Sequence, residues 1–264
     1  MNDWIIYLGT GCVTGLLAGL FGIGGGLIMV PILLYVFTKA GFPAQYLMYM
    51  ALATSLAVIM LSSISSARSH HQHQNVNWAI VKVMAISVFV GTMLGSLLAS
   101  KIHIDLLKLL FIGYTFYVAT QILWGFSVNP SRQLPGWRML SVTGMCIGLV
   151  SSFVGIGGGT LTVPFLMYCN IDPKRAIGTS SAIGAPIALG GVIGYVIAGY
   201  EVHSLPMWSI GFVYLPALIA IAFASLITTP IGAKLVQKLP VQFLKRMFAF
   251  LLYAIGMHML FSIL

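Results

Sequence analysis

The segment Gly15–Pro31, which carries Gly22-Ile23-Gly24-Gly25-Gly26, returns 133 residues later as Gly148–Pro164 with Gly155-Ile156-Gly157-Gly158-Gly159. Each copy places this run in the middle of a long apolar stretch, at 4–37 and 137–169. A glycine in a helix interior costs about 1 kcal/mol relative to alanine, so three in a row argue for an interruption. Length argues the same way. As one helix each stretch would extend about 50 Å, against a hydrocarbon core of about 30 Å. Each stretch is therefore expected to be two helical pieces joined at Gly22–Gly26 and Gly155–Gly159. Pro31 and Pro164, seven residues beyond Gly24 and Gly157, fit the restarting or kinking of a helix.

The bilayer enters because of composition. The chain of 264 residues is 59% hydrophobic and 6% charged, with mean hydropathy +1.01. Soluble domains carry about 25% charged residues, so this chain cannot build a water-facing surface. It reads as an all-α, polytopic integral membrane protein. Asn2 and Asp3 precede the first apolar run without a basic flank, so that run is read as a retained membrane segment. Six further runs, at 44–66, 78–100, 104–126, 176–199, 207–229 and 241–264, have about the length of a single crossing.

The duplication extends beyond the glycines. Ala51-Leu52-Ala53-Thr54-Ser55 resembles Ala176-Ile177-Gly178-Thr179-Ser180, and Asn75-Val76-Asn77 is matched with Glu201-Val202-His203. Gly95, Lys101 and Leu107-Lys108 answer Gly232, Lys238 and Leu244-Lys245. The expected organisation is an N-terminal repeat over 1–126, a connection over 127–136 and a C-terminal repeat over 137–264. Each has about four apolar segments, the first of them broken, which makes eight segments and up to ten helices. If each broken segment folds back as a hairpin, the halves are inverted. Ten basic residues then share one side (Arg68, Lys82, Arg132, Arg138, Lys174, Arg175, Lys234, Lys238, Lys245, Arg246) against Lys39, Lys101 and Lys108. Straight crossings satisfy the positive-inside rule about as well, and both counts put the termini outside. The length argument favours the hairpin and inverted repeats.

Helix ends inside a membrane leave backbone amides that lipid cannot satisfy. An N-terminus offers N–H donors and a positive dipole end to an anion, and glycine allows close approach. The substrate-binding candidates are therefore Gly22, Gly24, Gly25, Gly26, Gly155, Gly157, Gly158 and Gly159, with the hydroxyls of Thr54, Ser55, Thr179 and Ser180. The competing reading is helix packing through Gly22/Gly26 and Gly155/Gly159, each a small-xxx-small pair. None of the four acidic residues, Asp3, Asp105, Asp172 and Glu201, falls mid-membrane, which disfavours a cation carrier. The formal charge of +9 suits anion handling, although topology signals account for most basic residues. His70, His71 and His73 sit with Arg68 in a polar connection and read as solvated or structural rather than as a metal site. Cys12, Cys146 and Cys169 lack the spacing of a metal or redox motif.

The paired G-x-GGG-x4-P segments, the two A-x-[GA]-T-S segments and the recurring Leu-Lys pattern resemble the TauE/SafE family of sulfite exporters, across essentially the whole chain. The resemblance implies an inner-membrane permease for sulfite, sulfonates or related organic anions. The family signature maps onto Gly22, Gly24–Gly26 and Pro31, onto Gly155, Gly157–Gly159 and Pro164, and onto Thr54 and Thr179. Ala53 stands where the second copy has Gly178, a departure from strict symmetry.

The expected activity is thus secondary export of a small sulfur-containing anion held at the paired breaks. A facilitative channel and a non-transporting assembly factor are the alternatives. Catalysis is not expected: there is no paired carboxylate, and Gly-Ile-Gly-Gly-Gly lacks the Gly-Lys-Ser/Thr ending of a nucleotide-binding loop. The expected partners are the anion and the bilayer, with no nucleic acid, no cofactor and no metal. A homo-oligomer is compatible with the sequence, which does not fix oligomeric state.

Overall fold

The computed structural model describes residues 3–21, 25–124, 133–236 and 241–261. Among them are ten α-helices: α1 Asp3–Phe21, α2 Gly26–Lys39, α3 Leu47–Gln72, α4 Trp78–Ala99, α5 Ile104–Trp124, α6 Trp137–Val154, α7 Gly159–Tyr168, α8 Pro173–Gly199, α9 Leu215–Val236 and α10 Val241–Phe261. A two-stranded ribbon, β1 Ser209–Ile210 and β2 Val213–Tyr214, precedes α9. Five of the helices (α3, α4, α5, α6 and α8) are individually long and apolar enough to cross a bilayer. This is the all-α polytopic architecture that composition demands.

The first broken segment is a hairpin. Tyr7, near the start of α1, and Phe37, near the end of α2, have ring centroids 6.5 Å apart. In one continuous helix those thirty positions would be separated by about 45 Å. Helix α2 therefore returns toward the end where α1 began. In the second half α6 stops at Val154, and Gly155 caps it in the left-handed region at φ +67°. Gly158 then opens α7 at φ +76°, ψ −5°, while Gly25 opens α2 at φ +67°, ψ −10°. Side chains other than glycine's resist that conformation, which is why glycine stands at both positions.

Contacts between the two parts of the chain recur at matching sequence offsets. Gly11 of α1 abuts Ile221 and Ala224 of α9, and Gly144 of α6 abuts Ser87 and Val88 of α4. Gly11 and Gly144 are 133 residues apart, and Ser87 and Ala224 are 137 apart. Gly15 and Gly148 continue the two contacts, against Ser225 and Val88 respectively. On the far side, Phe116 of α5 meets Tyr253 of α10 at 5.7 Å. These two residues are also 137 apart, so each ring touches its own counterpart, as a two-fold axis requires.

Equivalent helices run in opposite directions. Along α3 and α8, Ser63 lies by Gly184 and Leu56 by Gly191. Along α5 and α10, Thr120 bonds Tyr253 while Phe116 packs on Gly256. Both pairs, α3 with α8 and α5 with α10, therefore run antiparallel. The close helix crossings use glycine pairs that the sequence reading passed over. Gly11/Gly15, Gly91/Gly95 and Gly144/Gly148 each form a small-xxx-small face on which the partner backbone rests.

Three local expectations change. Helix α3 runs through Arg68, His70 and His71 to Gln72, so this tract is a helix end and not a loop. The apolar run beginning at 207 opens as the β-ribbon, with Trp208 and Gly211 at positive φ, and turns helical only at Leu215. Pro31 and Pro164 lie inside α2 and α7, past the first turn of each. The interruptions are made by glycine. Each proline only removes one amide from a helix that has already begun.

Candidate substrate site at the helix breaks

The first turns of α2 and α7 are closed by their glycine caps. The carbonyl of Gly25 accepts from Ile28 and Met29 at 3.2 and 3.0 Å, and that of Gly158 accepts from Leu161 and Thr162 at 3.0 and 2.7 Å. No side chain caps either helix. Two N-terminal amides of each, at Gly26 and Leu27 and at Gly159 and Thr160, have no partner among the described residues. Donors of this kind at the positive end of a helix dipole suit an anion.

The fold brings the two breaks into contact. A side chain on Gly26 would meet the Gly155 carbonyl at 2.5 Å and the backbone of Ile156 at 3.2 Å. Ser55 of α3 donates to that same Gly155 carbonyl at 3.0 Å. Ile59, one turn further along α3, packs against both Gly26 and Gly157. Gly22 and Gly24 lie outside the described residues; Gly159 opens α7 with only partial burial.

The two threonines do something the sequence did not suggest. Thr54 is fully buried, and its hydroxyl accepts from the Tyr214 amide at 3.1 Å. Thr179, equally buried, accepts from the Asn77 amide at 3.0 Å. Each motif thus holds the residue that leads into α4 or α9 of the opposite half. The reciprocity makes Tyr214 the counterpart of Asn77, in place of the His203 suggested by sequence alone. The β-ribbon is then an insertion peculiar to the second half.

Besides Ser209 in the β-ribbon, three buried hydroxyls, on Ser151, Thr162 and Ser180, have no hydrogen-bond partner among the described residues. They lie in the last turn of α6, the first turn of α7 and the T-S motif of α8. Thr162 Oγ1 sits 3.3 Å from where a side chain on Gly158 would begin, directly beside the break. An unpaired buried polar group costs about 1–3 kcal/mol, so these hydroxyls are available to a bound polar species. Tyr114 of α5 adds a fourth group, bonding the Thr160 hydroxyl at 2.6 Å. Its position 46 residues away from Thr160 gave no sequence signal.

The described carboxylates lie elsewhere. Asp105 pairs at the start of α5 with Lys108 at 3.6 Å and His103 at 3.4 Å. Asp172 caps α8 through the amides of Lys174 and Arg175. His71 accepts the Trp78 indole N–H at 3.1 Å, and the described residues contain no cluster suited to a metal ion.

Five helices long and apolar enough to cross a bilayer, with two more opening at left-handed glycines, are the architecture of a polytopic membrane protein. The chain belongs to the sulfite exporter TauE/SafE family, whose sequence model matches residues 7–259. A probable membrane transporter protein of Haemophilus influenzae is 34% identical over 256 residues, 97% of each chain. One from Methanocaldococcus jannaschii is 31% identical over 254 residues, covering 95% of this chain and 92% of the relative. One from Bacillus subtilis is 28% identical over 238 residues, covering 88% and 89%. No solved structure matches the chain.

Proposed function

We propose that the protein is a secondary exporter of small sulfur-containing anions such as sulfite or organosulfonates, which bind where the two helix breaks meet. The observation that carries the anion reading is the pair of left-handed glycine caps, Gly25 and Gly158, each opening a helix whose first amides lack a side-chain cap. The unpartnered hydroxyls of Ser151, Thr162 and Ser180 would supply further donors, that of Thr162 directly beside Gly158. Those amides and hydroxyls would hold an oxyanion without a charged side chain. The sulfur chemistry rests on the family alone.

Two repeats, 1–126 and 137–264, would each contribute one hairpin and three further helices. Helix directions put the ends bearing Arg68, Lys82, Arg138, Lys174, Arg175 and Arg246 on one side, opposite Lys39, Lys101 and Lys108. The positive-inside rule makes the first side cytoplasmic, with both termini outside the inner membrane. Among the described residues no carboxylate is buried, so a coupling proton would travel on the anion, as in bisulfite.

The test is flux of labelled sulfite and of a sulfonate panel in proteoliposomes, comparing the parent with Thr162→Val and Ser180→Ala. Saturable flux in the parent, with KM raised in the two variants and folding retained, is the expected result. Absence of flux for every oxyanion, or unchanged kinetics in both variants, would overturn the reading.

A further inference from the structure

The two ends of the pseudo-symmetric bundle differ in chemistry. At the end where the chain begins, aromatic rings from separate elements close on one another. Phe42 contacts Tyr214 and Phe37 at 5.0 Å each, Phe37 contacts Tyr214 at 5.7 Å, and Phe212 contacts Tyr49 at 5.3 Å and Tyr46 at 5.8 Å. Thr54 sits directly beneath, holding the amide of Tyr214.

At the opposite end several of the counterparts are polar, although Tyr46 answers Ile171. Tyr214 and Phe212 are replaced by Asn77 and Asn75, Phe37 by Asn170 and Tyr49 by Lys174. There the structure leaves a pocket of about 280 Å³ lined by Gln74, Val76, Asn77, Trp78 and Arg175. Arg175 lies one turn of α8 before Thr179, and Thr179 holds the amide of Asn77 in the pocket wall. Among the described residues the Arg175 guanidinium has no ion pair, since Asp172 is engaged with backbone amides. An unpaired guanidinium facing a polar recess raises the local concentration of anions.

The geometry points to this recess as an anion-capture vestibule, the cytoplasmic mouth of the pathway, with Arg175 recruiting a small oxyanion before it reaches the T-S motif and the breaks. The aromatic cluster is the closed counterpart of the same mouth at the outer end. This rests on the transport reading above, but its electrostatic content is separable from the identity of the cargo.

The experiment uses Val76→Cys in a full chain in which Cys12, Cys146 and Cys169 are alanine. Everted and right-side-out membrane vesicles are treated with two impermeant methanethiosulfonates, one bearing a sulfonate and one a trimethylammonium group. The expected result is reaction in everted vesicles, with the anionic reagent favoured several-fold over its ratio on a free thiol. Arg175→Gln should remove most of that preference, and Arg175→Lys should retain it. Reaction only from the outer face, or a ratio unchanged by Arg175→Gln in protein that still elutes as a single folded species, would overturn the vestibule. Sulfite flux measured on the parent separates the two readings. Lost flux with a preserved charge preference removes the sulfite assignment and leaves the vestibule standing.

Discussion

The Ser55 hydroxyl donates to the Gly155 carbonyl across 3.0 Å, joining α3 of the first half to the break of the second. Ser55→Ala would leave that carbonyl unpaired in a water-poor interior, at a cost of about 1–3 kcal/mol. Thermal unfolding in detergent should show a lowered midpoint, with sulfite flux reduced in parallel. An unchanged midpoint would mean that the carbonyl finds another donor.

Gly26 has no room for a methyl group, because the obstacle at 2.5 Å is the backbone oxygen of Gly155 and not a flexible side chain. Overpacking of this kind costs about 1–3 kcal/mol. Gly26→Ala should therefore be destabilised in the same assay. Gly113→Ala on α5 is its control: nothing lies within 4 Å of the added carbon, and it should be neutral or slightly stabilising.

Thr54 and Thr179 perform matching tasks at opposite ends of the bundle, so Thr→Val at each should have comparable effects on stability. Each substitution removes the acceptor for one half-buried amide, a cost of about 1 kcal/mol. Transport should separate them. If Thr179 supports the cytoplasmic mouth, Thr179→Val raises KM for cytoplasmic sulfite more than Thr54→Val does. Equal kinetic effects would argue that the two ends are interchangeable in the working cycle.

Cys12 of α1 and Cys146 of α6 are exposed. Replacing both by alanine should leave sulfite flux within about twofold of the parent, as expected for surface substitutions worth under about 0.5 kcal/mol. A large loss would bring thiol chemistry into the mechanism.

Much of this architecture was legible because the bilayer restricts what a chain can do. A run too long for one crossing with three glycines at its middle must be interrupted, and Gly25 and Gly158 carry the left-handed caps that open α2 and α7. The site was less legible. Thr54 and Thr179 were recognised, but their partners Tyr214 and Asn77 were not, because those bonds span 160 and 102 residues. Tyr114 and the packing pairs Gly11/Gly15 and Gly144/Gly148 were missed for the same reason: nothing local marks a residue whose partner lies on another helix.

The sequence by itself determined that this protein lives in a membrane, that it is duplicated and that each half is broken at glycine. These follow from hydropathy, repetition and backbone freedom, which are properties of residues in order. Only the tertiary structure decided that each Thr serves the opposite half, that Gly26 rests on Gly155, and that aromatic rings cluster around Tyr214 at one end while a polar pocket lies beside Arg175 at the other. Those relations depend on which helices lie side by side in space, which is set by contacts between residues distant in sequence.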